Sequence, residues 1–108
     1  MGFKSKRSKE TEFSPAVRKR IWERDNGCCI FCGRPGAPNA HYKPRSMGGL
    51  GREDNGVTAC VHCHHMMDNS HERKLYLEKA KTYLQSHYPN WNEEDLIYNK
   101  WAGLKIGA

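Results

Sequence analysis

The sequence predicts a small α+β domain organised around a bound zinc ion. Three observations carry this. Two Cys-x2-Cys pairs, Cys29/Cys32 and Cys60/Cys63, are separated by 27 residues. Between them, two short β-prone runs flank a glycine-rich stretch, the pattern of a hairpin with a long tip. Helical start and stop signals lie on either side. At 108 residues the chain fits one domain. A core of that size is small and gains from a metal staple.

The elements follow in chain order. Residues 1–13 are mostly Lys, Ser, Arg and Glu, which predicts a basic flexible arm. Ser14-Pro15 reads as an N-cap and a first helical position. Val17 and Ile21 lie one turn apart and face a core, while Arg18, Lys19 and Arg20 take the rest of the surface. Asn26-Gly27 stops this helix at about Asp25. Cys28 to Gly33 is a tight turn and 35–39 a loop. Ala40 to Lys43 reads as a short strand ending at Pro44. Ser46 to Gly56 has four glycines in eleven residues, so it is loop, mobile or wrapped near a ligand. Val57-Thr58-Ala59 is the return strand.

Residues 61–69 read as a short helix. A longer one is predicted over 72–87, where Tyr76, Ala80, Tyr83, Leu84 and His87 recur at helical spacing. Pro89 ends it. Asn92 caps a last helix with Glu93, Glu94 and Asp95 in its first turn, and Ile97, Trp101 and Leu104 as its apolar stripe. Tyr76, Tyr83, Trp91 and Trp101 read as core packing rather than base-stacking platforms. The organisation is thus an arm over 1–13 and one domain over 14–108. The metal core covers about 24–70, with a C-terminal helical extension over 71–108.

Charge is unevenly spread. The formal charge is +6. Residues 1–52 carry twelve Lys/Arg against four Asp/Glu, and residues 53–108 six against eight. A basic N-terminal half suits an anionic polymer such as DNA or RNA, or simply a solvated surface. No apolar run of about 18 residues predicts a membrane span. The N-terminal stretch lacks the apolar region of a secretory signal, so the sequence reads as cytoplasmic. Five cysteines in a reducing compartment argue for metal rather than disulfides.

Each Cys-x2-Cys pair can place two thiolates on one ion. Cys29, Cys32, Cys60 and Cys63 together complete a tetrahedral four-thiolate zinc site. Such a site is closed, with no position for substrate or water, so it ties segments together and supplies folding energy. Cys28 lies x3 from Cys32 and could replace Cys29; we read it as a bystander.

The remaining polar residues carry a family resemblance. RDNGCCIFCG, then HYKPRSMGG, then Asn55 followed by CVHCHH resembles the HNH endonucleases that carry zinc-binding Cys-x2-Cys pairs. The blocks place Arg24-Asp25, Cys29, Cys32 and Gly33, then His41, Pro44, Ser46, Gly48 and Gly49, then Asn55, Cys60, Cys63 and His64 in the family's order. The match spans residues 24 to about 68. It implies a ββα-metal, treble-clef-like finger flanked by an N-terminal helix and C-terminal helices. It further implies a metal-dependent endonuclease acting on double-stranded DNA, by nicking or cutting, in a phage or prophage setting; separately, the aromatic and acidic C-terminal half suits docking to partners such as phage packaging (terminase) proteins. His41 is then the general base, Asn55 holds the hairpin loop and orients the His41 ring, and His64 binds a catalytic Mg²⁺, Mn²⁺ or Ni²⁺.

Asp68 lies one helical turn beyond His64, so both can reach one ion; it reads equally as a solvated helix-end residue. His65 points about 100° away from His64, towards DNA or solvent. The family usually places Asp or His just before the general base, and here that residue is Ala40. The departure weakens the expected metal site and supports an alternative, a catalytically weakened DNA-binding or packaging adaptor protein. Lys43, Arg45, Arg52, Arg18 and Arg20 are the candidate phosphate contacts.

Overall fold

The computed structural model describes residues 6–98. Its elements are helix α1 (Lys6–Thr11), helix α2 (Pro15–Arg24), strand β1 (Ala37–His41), strand β2 (Gly56–Ala59), helix α3 (Val61–Asn69) and helix α4 (Arg73–His87), with short 3-10 turns between and after them. The chain is a small α+β protein with one two-stranded antiparallel sheet.

Helix α2 forms as its sequence dictates. The Ser14 hydroxyl accepts a hydrogen bond from the Val17 N–H at 3.2 Å, and Pro15 takes the first turn. Asn26 ends the helix in the left-handed region at φ 56°, a conformation that asparagine tolerates. Ile21 is fully buried. Helix α4 runs over Arg73–His87 and buries Ala80 and Leu84; the sequence predicts it to within one residue.

Strand β1 differs from expectation. It runs over 37–41 rather than 40–43, and pairs Ala37 with Ala59, Ala40 with Val57 and His41 with Gly56. The register is irregular between Ala37 and Ala40. That irregularity accommodates Pro38, which has no N–H to give to a ladder. Both β2 faces are buried. One face packs with Cys63 and Met67 of α3 and with Ala80, Leu84 and Leu96 into a single core. Tyr76, Tyr83 and Trp91 pack against this core, as expected; Trp101 lies outside the described residues.

Two further expectations change. Asn92 does cap, its Oδ1 accepting from the Glu94 N–H at 3.0 Å. The turn it starts is a 3-10 segment, Glu93–Leu96, and not a long helix. The chain then pairs with the glycine-rich loop: Leu50 N–H donates to Leu96 O at 2.7 Å and Tyr98 N–H to Gly48 O at 2.6 Å. Those tertiary backbone bonds outweigh helix propensity, and they pin a loop that glycine content alone suggested to be mobile. The proposed stripe residue Leu104 lies outside the described residues. The second change is the expected arm over 1–13. Its described part contains α1 and ends with Thr11 and Phe13 buried against the body of the protein.

A buried polar network joins α2 to the sheet and α4. Arg24 and Asp25 form a two-bond ion pair at 2.7 and 2.9 Å. Arg24 also donates to Glu53 O, Gly56 O and Tyr88 Oη. Asp25 accepts from Thr58 N–H at 2.8 Å and from the Tyr83 hydroxyl. Burial opposes ionisation of Asp25, but the hydrogen bonds from Arg24 and Tyr83 prevail and hold its carboxyl below the usual range.

Candidate functional site

The four predicted cysteines meet. Ligand atoms of Cys29, Cys32, Cys60 and Cys63 all lie within 4.8 Å of one another, and none is disulfide-bonded. The Sγ atoms of Cys32 and Cys60 are 3.6 Å apart. With zinc–sulfur bonds of about 2.3 Å, the edge of a ZnS₄ tetrahedron is about 3.8 Å. The donor set and its spacing therefore suit a metal ion such as zinc.

Local structure prepares each pair. In the first, Cys29 N–H donates to Arg34 O and Gly33 N–H to Cys29 O, closing the turn. In the second, Cys60 is the N-cap of α3 and its sulfur accepts from Cys63 N–H at 3.4 Å. That donor helps push the Cys60 thiol down to about 7, the direction that favours a thiolate ligand. Burial and the neighbouring sulfurs push Cys63 up. Four sulfurs this close can all ionise only around a cation. Cys28 stands apart, its thiol directed at Asn26 O.

His41 ends β1 and is tightly held. Its Nε2 lies 2.7 Å from the Thr11 carbonyl oxygen. Its ring stacks on Phe13, with centroids 3.9 Å apart and planes 20° from parallel. Burial lowers its pKa below the ordinary histidine value, and the charges of Arg45 and His64 act in the same direction. The Thr11 carbonyl and the Asp68 charge oppose them. His41 therefore sits within electrostatic range of both His64 and Asp68.

His64 follows Cys63 directly on α3, so the cysteine cluster anchors the turn that carries it. His64 Nε2 lies 3.2 Å from Asp68 Oδ2, one helical turn on. Both side chains are partly exposed, at 32% and 45%, and so are open to a ligand. His65 and His62 are exposed. Ala40 is fully buried opposite Val57 and offers no ligand atom.

Asn55 is fully buried. Its Oδ1 accepts from Lys43 N–H at 2.8 Å, and its Nδ2 donates to Leu50 O at 2.8 Å and Lys43 O at 3.2 Å. It holds the loop between the strands, as expected. It does not orient the His41 ring, which takes its hydrogen bond and its stacking partner from Thr11 and Phe13 instead. The sequence reading missed both. Phe13 leaves one trace, a large apolar residue just before the Ser14 cap; Thr11 acts through its backbone and leaves none.

The candidate phosphate contacts are mostly engaged within the chain. Arg20 pairs with Glu53 and Arg52 with Asp54, and Lys43 pairs with Glu93. Arg45 donates to the Thr11 hydroxyl and to Ser8 O. Arg18 and Lys19 are exposed on α2. Among the described residues, no helix is long and apolar enough to cross a membrane. No family model matches the chain and no curated protein matches it.

Proposed function

We propose that the protein is a zinc-stabilised, metal-dependent HNH endonuclease that hydrolyses phosphodiester bonds of double-stranded DNA. The observation that supports the reading best is the His64–Asp68 pair on α3, Nε2 to Oδ2 3.2 Å, within electrostatic range of His41 at the end of β1. The two candidate ligands follow Cys63 on α3, so they are tied to a cysteine cluster that is chemically separate from them. The order β1, β2, α3 around these residues supports the ββα-metal finger that the sequence motifs imply.

In this reading each residue has a role. A carbonyl oxygen can only accept, so the neutral His41 ring carries its proton on Nε2 and presents the lone pair of Nδ1. That nitrogen removes a proton from water. The water oxygen attacks phosphorus, the P–O3′ bond breaks, and the 3′ oxygen leaves to be protonated by solvent. His64 and Asp68 would hold a Mg²⁺, Mn²⁺ or Ni²⁺ ion, which would supply charge neutralisation at the phosphate. Asn55 keeps β1 and its loop in place. Arg18 and Lys19 on α2 are available to phosphates, and Arg20, Arg45, Arg52 and Lys43 reach them by exchanging internal partners for DNA. The aromatic and acidic C-terminal half supports phage packaging proteins as further partners.

Ala40 favours a second reading, a DNA-binding or packaging adaptor with weakened catalysis, because it leaves the candidate ion with two protein ligands. Metal-dependent nicking of supercoiled plasmid by the wild type, and its loss in His41→Ala, separates the two.

A further inference from the structure

Residues 8–13 form a strap across the hairpin, and several features far apart in sequence are shaped to hold it. Gly51 N–H donates to Glu10 O at 2.8 Å. A Cβ at Gly51 would stand 2.1 Å from Glu12 O, so only glycine allows that approach. A Cβ at Gly56 would stand 2.6 Å from the Phe13 ring. Arg45 reaches Thr11 Oγ1 at 3.2 Å and Ser8 O at 3.2 Å. The strap ends with Phe13 6% exposed beneath the His41 ring and Thr11 3% exposed beside it.

We infer that this strap is part of the site: the Thr11 carbonyl and the Phe13 ring act as positioning elements that fix His41 in its Nε2–H tautomer, with Nδ1 turned to the reacting water. The inference rests on the endonuclease reading for its chemical purpose, but not for its structural content. Without the carbonyl, neutral imidazole divides between two tautomers and the ring can rotate; a base must be both lone-paired and aimed at the proton it takes. The stack on Phe13 restricts that rotation, and the hydrogen bond selects the nitrogen. The two constraints come from residues two apart on one strap, which links the state of the base to the docking of the N-terminal segment.

The test uses the full-length, zinc-loaded protein. Long-range ¹⁵N–¹H correlation NMR assigns the His41 tautomer at a pH where the ring is neutral. The wild type is expected to show Nε2–H alone. Gly51→Ala pushes on the strap without touching His41, and Phe13→Leu removes the stack while keeping an apolar side chain. Each should give a mixed or averaged tautomer signal and a fall of about tenfold or more in kcat for plasmid nicking, with KM for DNA and zinc content little changed. Gly51→Ala and Phe13→Leu address the strap from different sides, so failure of one to fold leaves the other. An Nδ1–H tautomer in the wild type, or a folded variant with the wild-type signal and kcat, overturns the inference. A wild type that shows Nε2–H yet cuts no DNA rejects the endonuclease reading and leaves the positioning intact.

Discussion

The Sγ atoms of Cys32 and Cys60 stand 3.6 Å apart, although 27 residues separate them in sequence. That is far beyond a disulfide bond of about 2.05 Å and close to the edge of a thiolate tetrahedron. The pair joins the first knuckle to the N-terminus of α3. It thereby fixes where His64 emerges relative to the hairpin that carries His41.

Zinc is accordingly expected at one ion per chain. Removing it, or substituting Cys60→Ser, should unfold the domain, because structural zinc contributes on the order of 10 kcal/mol to folding in small domains. Metal analysis and circular dichroism melting check this. A stable, zinc-free Cys60→Ser protein would contradict the four-thiolate assignment.

Asp25→Asn should destabilise the protein by about 3–5 kcal/mol, since it leaves Arg24 buried without its charge partner; Arg24 is only 11% exposed. The pH dependence has a definite sign. The folded carboxyl of Asp25 is lowered from 3.8, so its contribution is present at neutral pH and is lost as pH falls below about 4. Tyr83 works in the opposite sense. Burial and the bond to Asp25 raise it from 10.0 to about 12, so its contribution is lost as pH rises through that range. Urea unfolding across pH 3 to 7 should show a shallower acid-side slope in Asp25→Asn than in the wild type.

Asn55→Asp should destabilise the fold, despite equal size, because its carboxylate cannot donate to Lys43 O or Leu50 O. Each buried group left unsatisfied costs about 1–3 kcal/mol, and two acceptors lose their donor. Thermal melting of Asn55→Asp beside the wild type measures it; equal melting temperatures would remove Asn55 from the role of loop anchor.

Asp68→Ala should raise the Mn²⁺ concentration needed for half-maximal DNA cleavage by about tenfold or more, the effect of losing about 1.5 kcal/mol of charge-assisted contact. Zinc content should stay constant. An unchanged metal requirement returns Asp68 to a solvated helix residue.

Arg18→Ala should weaken DNA binding at every sequence and reduce the salt slope by about one. Arg20→Ala should do less, because its guanidinium is already 2.9 Å from Glu53. Fluorescence anisotropy over a salt series distinguishes them, and a larger effect at Arg20 would reverse the proposed order.

Much of this arrangement was legible in the sequence where the signal is local. The two cysteine pairs, the Ser14-Pro15 helix start, the Asn26-Gly27 stop and the helical spacing through α4 all act over a few residues, and the structure follows them. The four-residue step from His64 to Asp68 likewise predicted a shared face. What sequence did not reveal depends on distant partners. Asn92 caps as its type suggests, but the chain beyond Leu96 is captured by Gly48 and Leu50. Arg20 reads as a phosphate contact until Glu53, 33 residues on in sequence, folds beside it. Thr11 holds His41 through a carbonyl that every residue possesses, so its identity carries no clue. Gly51 and Gly56 were visible as part of a glycine-rich region, but their reason, the close approach of Glu12 and Phe13, is purely tertiary.

The most direct test of the account is cleavage of supercoiled plasmid by zinc-loaded wild type and His41→Ala, in EDTA or with added Mg²⁺, Mn²⁺ or Ni²⁺. The account predicts nicked or linear product with wild type and a divalent ion, none in EDTA, and none with His41→Ala although it retains zinc and fold. Cleavage by His41→Ala at the wild-type rate, or no cleavage by folded wild type with any of the ions, would contradict it.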